Sequence, residues 1–350
     1  MHGQAWRELS VYQSHDLVRK KFADKHERHL SAAGSREIVS FFSQGREYFE
    51  AAATAGMLVK PLLLYYGVNA LTRGLLLFLS RGRRAATLKP SHGISAIAWQ
   101  NTLSAGASAV PLLEIKFESS GTFAELAALT KNREYASINT PLGPKQTLIA
   151  TRGAVAIPEG AATTLRDLFG RIPRLGDLYE ETFDELSSAW RADVFAHPQR
   201  RTFVSIFGSF RRMPPSERLR NELKLPPETQ LTVEQSHPVT GEVNVTFSLN
   251  HASNDDRSAE LPLIADGEGR ENYVLAPLPS GLSLSLLSLA YALSYCLGML
   301  ARYHPVQWLD LIGRSSGDLA YPLAREAVLE IESHFPDRLV TELILWHGAA

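Results

Sequence analysis

The sequence predicts an α+β fold, predominantly α, in which both chain ends form a helical body and the middle is an inserted mixed α/β region containing a β-hairpin. Three observations carry this. Two long apolar stretches, Thr54–Ser80 and Gly281–Arg302, lie near opposite ends of the 350 residues and have the length and composition of paired core helices. Between them, Val110–Phe117, Gln230–Gln235, Glu242–Leu249 and Asn272–Ala276 are short, rich in β-branched and aromatic residues, and bounded by Gly, Pro, Asn or Ser, the pattern of strands. The length also exceeds the roughly 250–300 residues at which single cores stop growing. The expected division is a helical body from residues 1–104 and 279–350, with the insertion at 105–278.

From Ala5 to about Ser80 the spacing is helical, with Trp6, Leu9, Val11, Tyr12, Leu17 and Phe22 followed by a polar stretch at Lys20–His29. A second helix opens near Ser35–Glu37 and runs through Ile38–Phe49. A turn is expected at Gly56–Val59, then a long helix from Pro61 to Leu79 stopped by Ser80–Gly82, because proline is tolerated at a helix start and breaks its interior. In the middle, Thr232–Gln235 and Val243–Phe247, joined through His237–Gly241, make the clearest hairpin. Thr164–Trp190 has helical spacing interrupted at Pro173, while Asn250–Arg257 and Ala265–Glu271 read as a polar loop and a Gly- and acid-rich turn. After Pro279 the pattern is helical through Leu345. Leu282, Leu286, Leu289, Leu293, Leu297 and Leu300 form one narrow leucine stripe.

Charge is balanced, 36 basic against 37 acidic residues, which removes a whole-molecule attraction for nucleic acid or anionic lipid. The single cysteine, Cys296, permits no internal disulfide and no cysteine-based zinc site, as fits a reducing cytoplasm. The polar start, Met1-His-Gly-Gln-Ala-Trp-Arg-Glu, lacks the apolar core of a signal peptide. Both apolar stretches are long enough to span a bilayer, yet Lys60, Pro61, Asn69 and Arg73 in the first and four serines in the second favour core helices. An arginine at bilayer centre costs roughly 2.5–3.5 kcal/mol. The expectation is a cytoplasmic protein with no membrane contact and no metal or cofactor.

Candidate site residues come from polar groups on these helices and the loops beside them. Tyr66, Asn69 and Arg73, at i, i+3 and i+7, share one helix face, with Leu64, Val68, Leu71, Leu75 and Phe78 on the other. Such a strip can line a pocket in which Arg73 offers a planar fork for phosphate or carboxylate, or it can be a solvated face. His92 lies in a loop after the basic run Arg81–Arg84 and Lys89, able to meet an anion or simply to turn the chain. Arg302, Tyr303, His304 and Trp308 crowd the end of the second apolar helix. The cation there complements the helix dipole, and Arg302 and His304 can equally form a pocket rim stacked on Tyr303 or Trp308.

Catalytic signatures are absent. Arg and His separated by four to six residues, the spacing of helical ribonucleases of the HEPN type, occur at Arg19–His26 and Arg191–His197, but 27 Arg and 11 His placed at random give about 2.5 such pairs. There is no phosphate-binding G-x-x-x-x-G-K-[ST], no G-x-S-x-G elbow and no H-E-x-x-H. The acidic group Glu180, Glu181, Asp184 and Glu185 reads as a solvated helix face.

Several segments nevertheless form an ordered set: Val11-Tyr-Gln-Ser14, Glu47-Tyr-Phe-Glu-Ala51, Lys60-Pro-Leu-Leu-Leu-Tyr-Tyr-Gly67, His92-Gly-Ile94, Lys116-Phe117 with Gly121-Thr-Phe123, and Leu297-Gly-Met-Leu-Ala-Arg-Tyr303 with Trp308. In this set the chain resembles the YaaC-like family of bacterial proteins, with residues 125–280 matching poorly. The resemblance implies a cytoplasmic bacterial protein built around the two apolar helices, assigns no reaction, and raises Lys60, Tyr66, His92, Arg302, Tyr303 and Trp308 as motif positions.

The leading functional expectation is a subunit of a bacterial complex, stress or phage-defence related, that binds a protein partner, a second copy of itself or a small anionic ligand. The alternatives are a helical ribonuclease using Arg302 and His304 or Arg191 and His197, and a nucleotide sensor using Arg73, His92 and Arg302, with nucleotide or RNA as the partner. Whether Arg73, His92 and Arg302 meet divides these readings.

Overall fold

The structure is a computed structural model that describes residues 3–140, 143–153, 156–197, 201–209, 213–237, 242–251, 261–267, 271–313 and 317–345. It is an α+β fold, mostly helical, with antiparallel sheets in the middle of the chain.

Helices α1 (Gly3–Leu9), α2 (His15–His26), α3 (Ala32–Thr54) and α4 (Lys60–Leu79) come first. Ser14 and Ser31 begin α2 and α3, each hydroxyl accepting a backbone N–H of the first turn, from Leu17 and Gly34. Pro61 sits in the first turn of α4, where its missing N–H costs no helical bond. Then follow β1 (Ile94–Ile97), α5 (Trp99–Leu103), β2 (Glu114–Phe117), α6 (Thr122–Thr130), β3 (Arg133–Thr140), β4 (Gly143–Arg152), β5 (Ala162–Thr164), α7 (Leu165–Phe169), α8 (Gly176–Phe183), β6 (Ala189–His197) and β7 (Arg201–Ser209). The remainder is α9 (Ser216–Glu222), β8 (Leu231–His237), β9 (Glu242–Asn250), β10 (Leu263–Gly267), β11 (Glu271–Leu275), α10 (Leu286–Tyr303), α11 (Pro305–Gly313) and α12 (Tyr321–Leu345).

The helix limits at Gly56–Val59 and Leu79 and the β8–β9 hairpin match the sequence pattern, with Thr232 opposite Thr246 and Val233 opposite Val245. Several expectations are corrected. Residues Ala107–Leu112 form a 3-10 turn rather than strand, since Pro111 fixes φ and donates no ladder bond, and only Glu114–Phe117 is extended. Thr164–Trp190 is broken into α7 and α8, and its end, Ala189–Trp190, opens β6. The second apolar helix starts at Leu286, not Gly281, whose φ of +79° turns the chain before it. It is also buried all round from Leu286 to Leu300, so the narrow stripe is wrong. Small hydroxyl residues fit inside because they bond back to the helix, as Ser294 does to the Tyr291 carbonyl at 2.7 Å. The tip of the β8–β9 hairpin, most of the Asn250–Arg257 loop and part of the Ala265–Glu271 turn lie outside the described residues.

Two compact units emerge. The first contains residues 1–131, 155–168 and 287–350, so residues 105–131 and 155–168, expected in the insertion, pack with the terminal helices instead. Its core holds the fully buried rings of Phe22, Phe42, Phe49, Tyr65, Tyr291 and Trp308. Helices α3 and α4 approach closely at glycine: a Cβ on Gly67 would lie 2.6 Å from the Phe49 ring. The β1–β2–β5 sheet is antiparallel throughout. Helices α4 and α10 are long and apolar enough to cross a membrane, and 72% and 83% of their apolar windows are buried within the protein.

The second unit, residues 132–154 and 169–286, is built on an eight-stranded sheet with the order β10-β11-β6-β7-β9-β8, β3 joining β6 and β4 joining β3. Strand β6 alternates strictly, with Ala192, Val194 and Ala196 inward and Arg191, Asp193 and Phe195 outward, the two-residue period of a half-buried strand. Trp190, Ile206, Leu219, Phe247, Ile264 and Val274 are central to its core.

Candidate functional site

The polar strip of α4 behaves as its spacing predicts. Tyr66, Asn69 and Arg73 are partly exposed, while Leu64, Val68, Leu71, Leu75 and Phe78 are buried. The Ser91–Gly93 loop lies beside this strip because it is pinned to the turn at Gly121–Phe123. Thr122 N–H donates to Ser91 O, Phe123 N–H to His92 O, and Glu118 N–H to Gly93 O, each at 3.0 Å. Contact this close, backbone on backbone, requires glycine on both sides. Gly93 and Gly121 have φ of +78° and +109°, and a Cβ on Gly121 would lie 2.6 Å from Gly93 N.

The pinned loop seats His92 among three tyrosines. The hydroxyl of fully buried Tyr65 is 2.5 Å from His92 Nδ1, with the rings edge to face at 5.4 Å. From α10, the Tyr291 hydroxyl shares its proton between Asn69 Oδ1 at 3.1 Å and His92 O at 3.3 Å, and the Tyr295 ring lies 5.8 Å from the imidazole. Burial drives the Tyr65 and Tyr291 phenols far above their ordinary range and pushes Tyr295 up to about 12, so all three stay protonated. The His92 pKa is lowered, first by burial and then by the charges of Arg302 and Arg73. A protonated phenol can both donate and accept, so the Tyr65 hydroxyl bonds His92 Nδ1 in either tautomer of the neutral ring.

The two arginines complete the cluster. Arg302, at the end of α10, donates from Nη1 to Tyr66 Oη at 2.6 Å, and its guanidinium lies 4.9 Å from the Tyr303 ring centroid and 6.0 Å from that of Tyr66. Arg73 donates to Lys89 O at 3.4 Å and lies 5.3 Å from the Phe41 ring. Neither guanidinium is ion-paired with a carboxylate among the described residues, and both charges bear on His92. Arg73 and Arg302, far apart in sequence, thus both disfavour the protonated form of His92.

The remaining candidates separate from it. Lys60 Nζ is 2.7 Å from Glu332 in a largely buried ion pair, and buried Trp308 donates from Nε1 to Met57 O at 3.1 Å, so both of these motif residues hold the helices in place. His304 faces Trp99 at 5.9 Å, and burial lowers its pKa. Arg191 and His197 lie on one strand, about 20 Å apart at the rise of six strand residues, and Arg191 pairs with Glu271 at 3.6 Å. His26 is buried, its Nε2 lying 2.8 Å from Phe78 O. Glu180 accepts from Ser187 N–H at 3.3 Å, and among the described residues no three His, Cys, Asp or Glu side chains gather in metal-binding geometry.

Tyr65, Tyr291 and Tyr295 were not singled out by sequence. Tyr65 adjoins a candidate, and Tyr291 and Tyr295 stand at i, i+4 in an otherwise apolar helix, a pairing that signals one polar edge.

Among the described residues the arrangement offers two guanidiniums without carboxylate partners and a lowered-pKa imidazole, beside exposed aromatic surface. It also accounts for the sequence motifs: His92–Gly93 interlocks with Gly121–Phe123, and the helix carrying Leu297–Tyr303 meets that carrying Lys60–Gly67 where a Cβ on Gly298 would lie 2.7 Å from Tyr65 Cβ. Comparison with curated proteins found no match, and comparison with solved structures found none. The family model described as YaaC-like protein matches residues 7–343, nearly the whole chain, and the protein belongs to that family.

Proposed function

We propose that the protein binds a small anionic ligand, phosphate- or carboxylate-bearing, between Arg73, His92 and Arg302. The observation that carries this reading is a pair of guanidiniums that have no carboxylate partner among the described residues and whose charges help keep His92 neutral. Like charges held together cost free energy, and a bound anion offsets that cost. Asn69 and Tyr66 position the donors through Tyr291 and Arg302. As a cytoplasmic subunit of a larger bacterial complex, in stress response or phage defence, the protein would pass the ligand signal to a partner.

Calorimetric titration with inorganic phosphate tests the site. A hydrogen bond to a charged group contributes about 1.5–3 kcal/mol, so Arg73→Ala and Arg302→Ala should each weaken binding by roughly tenfold or more. Equal affinity in the wild type and the double variant would sink the reading. The partner half is checked by pull-down of the tagged chain from its host with mass spectrometry, and it requires a stoichiometric protein.

A further inference from the structure

The geometry points to a nucleoside 5′-phosphate as the ligand, its phosphate held by Arg73, His92 and Arg302 and its base stacked on Tyr303. This deepens the anion-binding reading and rests on it. Arg302 connects the two halves: the guanidinium that acts on His92 also lies 4.9 Å from the Tyr303 ring centroid. That contact covers one face of Tyr303, yet the residue is 61% exposed, which leaves ring surface open beside the anion site. The aromatic strip continues through Tyr66, whose hydroxyl accepts from Arg302 and whose ring lies 5.5 Å from Tyr48. A bare anion engages only the donors. A ligand carrying a planar ring one sugar away from a phosphate uses both the donors and the strip, because guanidinium forks match phosphate oxygens and any base presents a π-face to an aromatic side chain.

The test is calorimetry on the full chain with ribose 5-phosphate and with AMP, GMP, CMP and UMP. At least one mononucleotide should bind tenfold or more tighter than ribose 5-phosphate. Tyr303→Ala should abolish that gain and Tyr303→Phe keep it, the gain being the ratio to ribose 5-phosphate measured on the same protein. If ribose 5-phosphate binds as well as every mononucleotide, the base contact is refuted and the anion reading stands. Binding of no probe overturns both, and a gain that persists in Tyr303→Ala overturns the placement on Tyr303. Oligonucleotides with a 5′-phosphate or a 5′-hydroxyl distinguish a free nucleotide from an RNA end as the source of the same chemistry: tight binding of only the phosphorylated oligonucleotide supports the end, and weak binding of both beside a tight mononucleotide supports the free ligand.

Discussion

The Tyr65 hydroxyl and His92 Nδ1 share a hydrogen bond of 2.5 Å, joining the buried centre of α4 to a loop 27 residues further along the chain. The bond anchors the imidazole ring through Nδ1, which leaves Nε2 as its second hydrogen-bonding atom. Tyr65 is thus a positioning residue for His92, although its side chain is wholly buried.

Removing that hydroxyl should be visible at His92. The phenol is the hydrogen-bond partner of His92 Nδ1, so in Tyr65→Phe the His92 titration, followed by NMR of its ring protons, should shift, with a stability loss of about 1 kcal/mol. An unmoved titration would mean that burial and the arginine charges act on His92 without help from the phenol.

Stability should fall on mild acidification. His26, His92 and His304 all have lowered pKa values, burial being the first cause in each. Their unfolded forms take up protons near 6.5 while the folded forms resist, so the contribution is complete above that value and is lost as pH falls through the lower folded values. The Tm should be level from pH 8 to 7 and drop below about 6.5, and His92→Gln should flatten part of the drop. Glu37 and Glu118, lowered mainly by hydrogen bonds from Arg84 and Ser95, act in a separate window below 4.5.

Lys60 should prove structural. Its ion pair with Glu332 leaves side-chain exposures of only 10% and 15%, so Lys60→Ala strands a carboxylate and should cost about 3 kcal/mol in denaturant unfolding. The paired change Lys60→Met with Glu332→Leu should recover most of that loss. Phosphate affinity measured on the folded double variant should match the wild type.

Gly121 is the position where the smallest change should reach the site. A methyl group there meets Ser91 Oγ at 2.5 Å and Gly93 N at 2.6 Å, at a φ of +109° that L-residues avoid. Gly121→Ala should destabilise by at least about 2 kcal/mol and shift the His92 resonances, whereas the same change at Gly106, where φ is +88° but nothing lies within 4 Å, should pay only the backbone strain and leave His92 in place.

Much of this fold could be read directly. Apolar runs with helical spacing located α4 and most of α10, and the Val/Thr-rich segments around residues 231–249 located the β8–β9 hairpin. The strands missed were β3 to β7 and the short β1 and β10. β3–β4, β6–β7 and β10–β11 are hairpins of neighbouring strands, but several strands are polar, as Arg133–Thr140 is, or short, as Ala162–Thr164 is, and β5 finds its partner β2, and β3 its second partner β6, far away in sequence. No local pattern encodes such a partner.

The site was legible only in pieces. Tyr66, Asn69 and Arg73 declared a shared face through their spacing, because a helix fixes which residues neighbour one another. His92 and Arg302 were visible as residues near basic or helical ends, with nothing to show that both bear on one spot. Lys60 and Trp308 looked equally available, and only their contacts with Glu332 and Met57 assign them to packing. By itself the sequence determined the helical body, its two central helices and the family, since these follow from composition, periodicity and ordered motifs. Tertiary structure alone decided that Tyr65, His92 and Tyr291 converge and that the charges of Arg73 and Arg302 act on His92, because that depends on how the pinned loop and α10 pack on α4, and long-range packing is a property of the whole folded chain rather than of any segment.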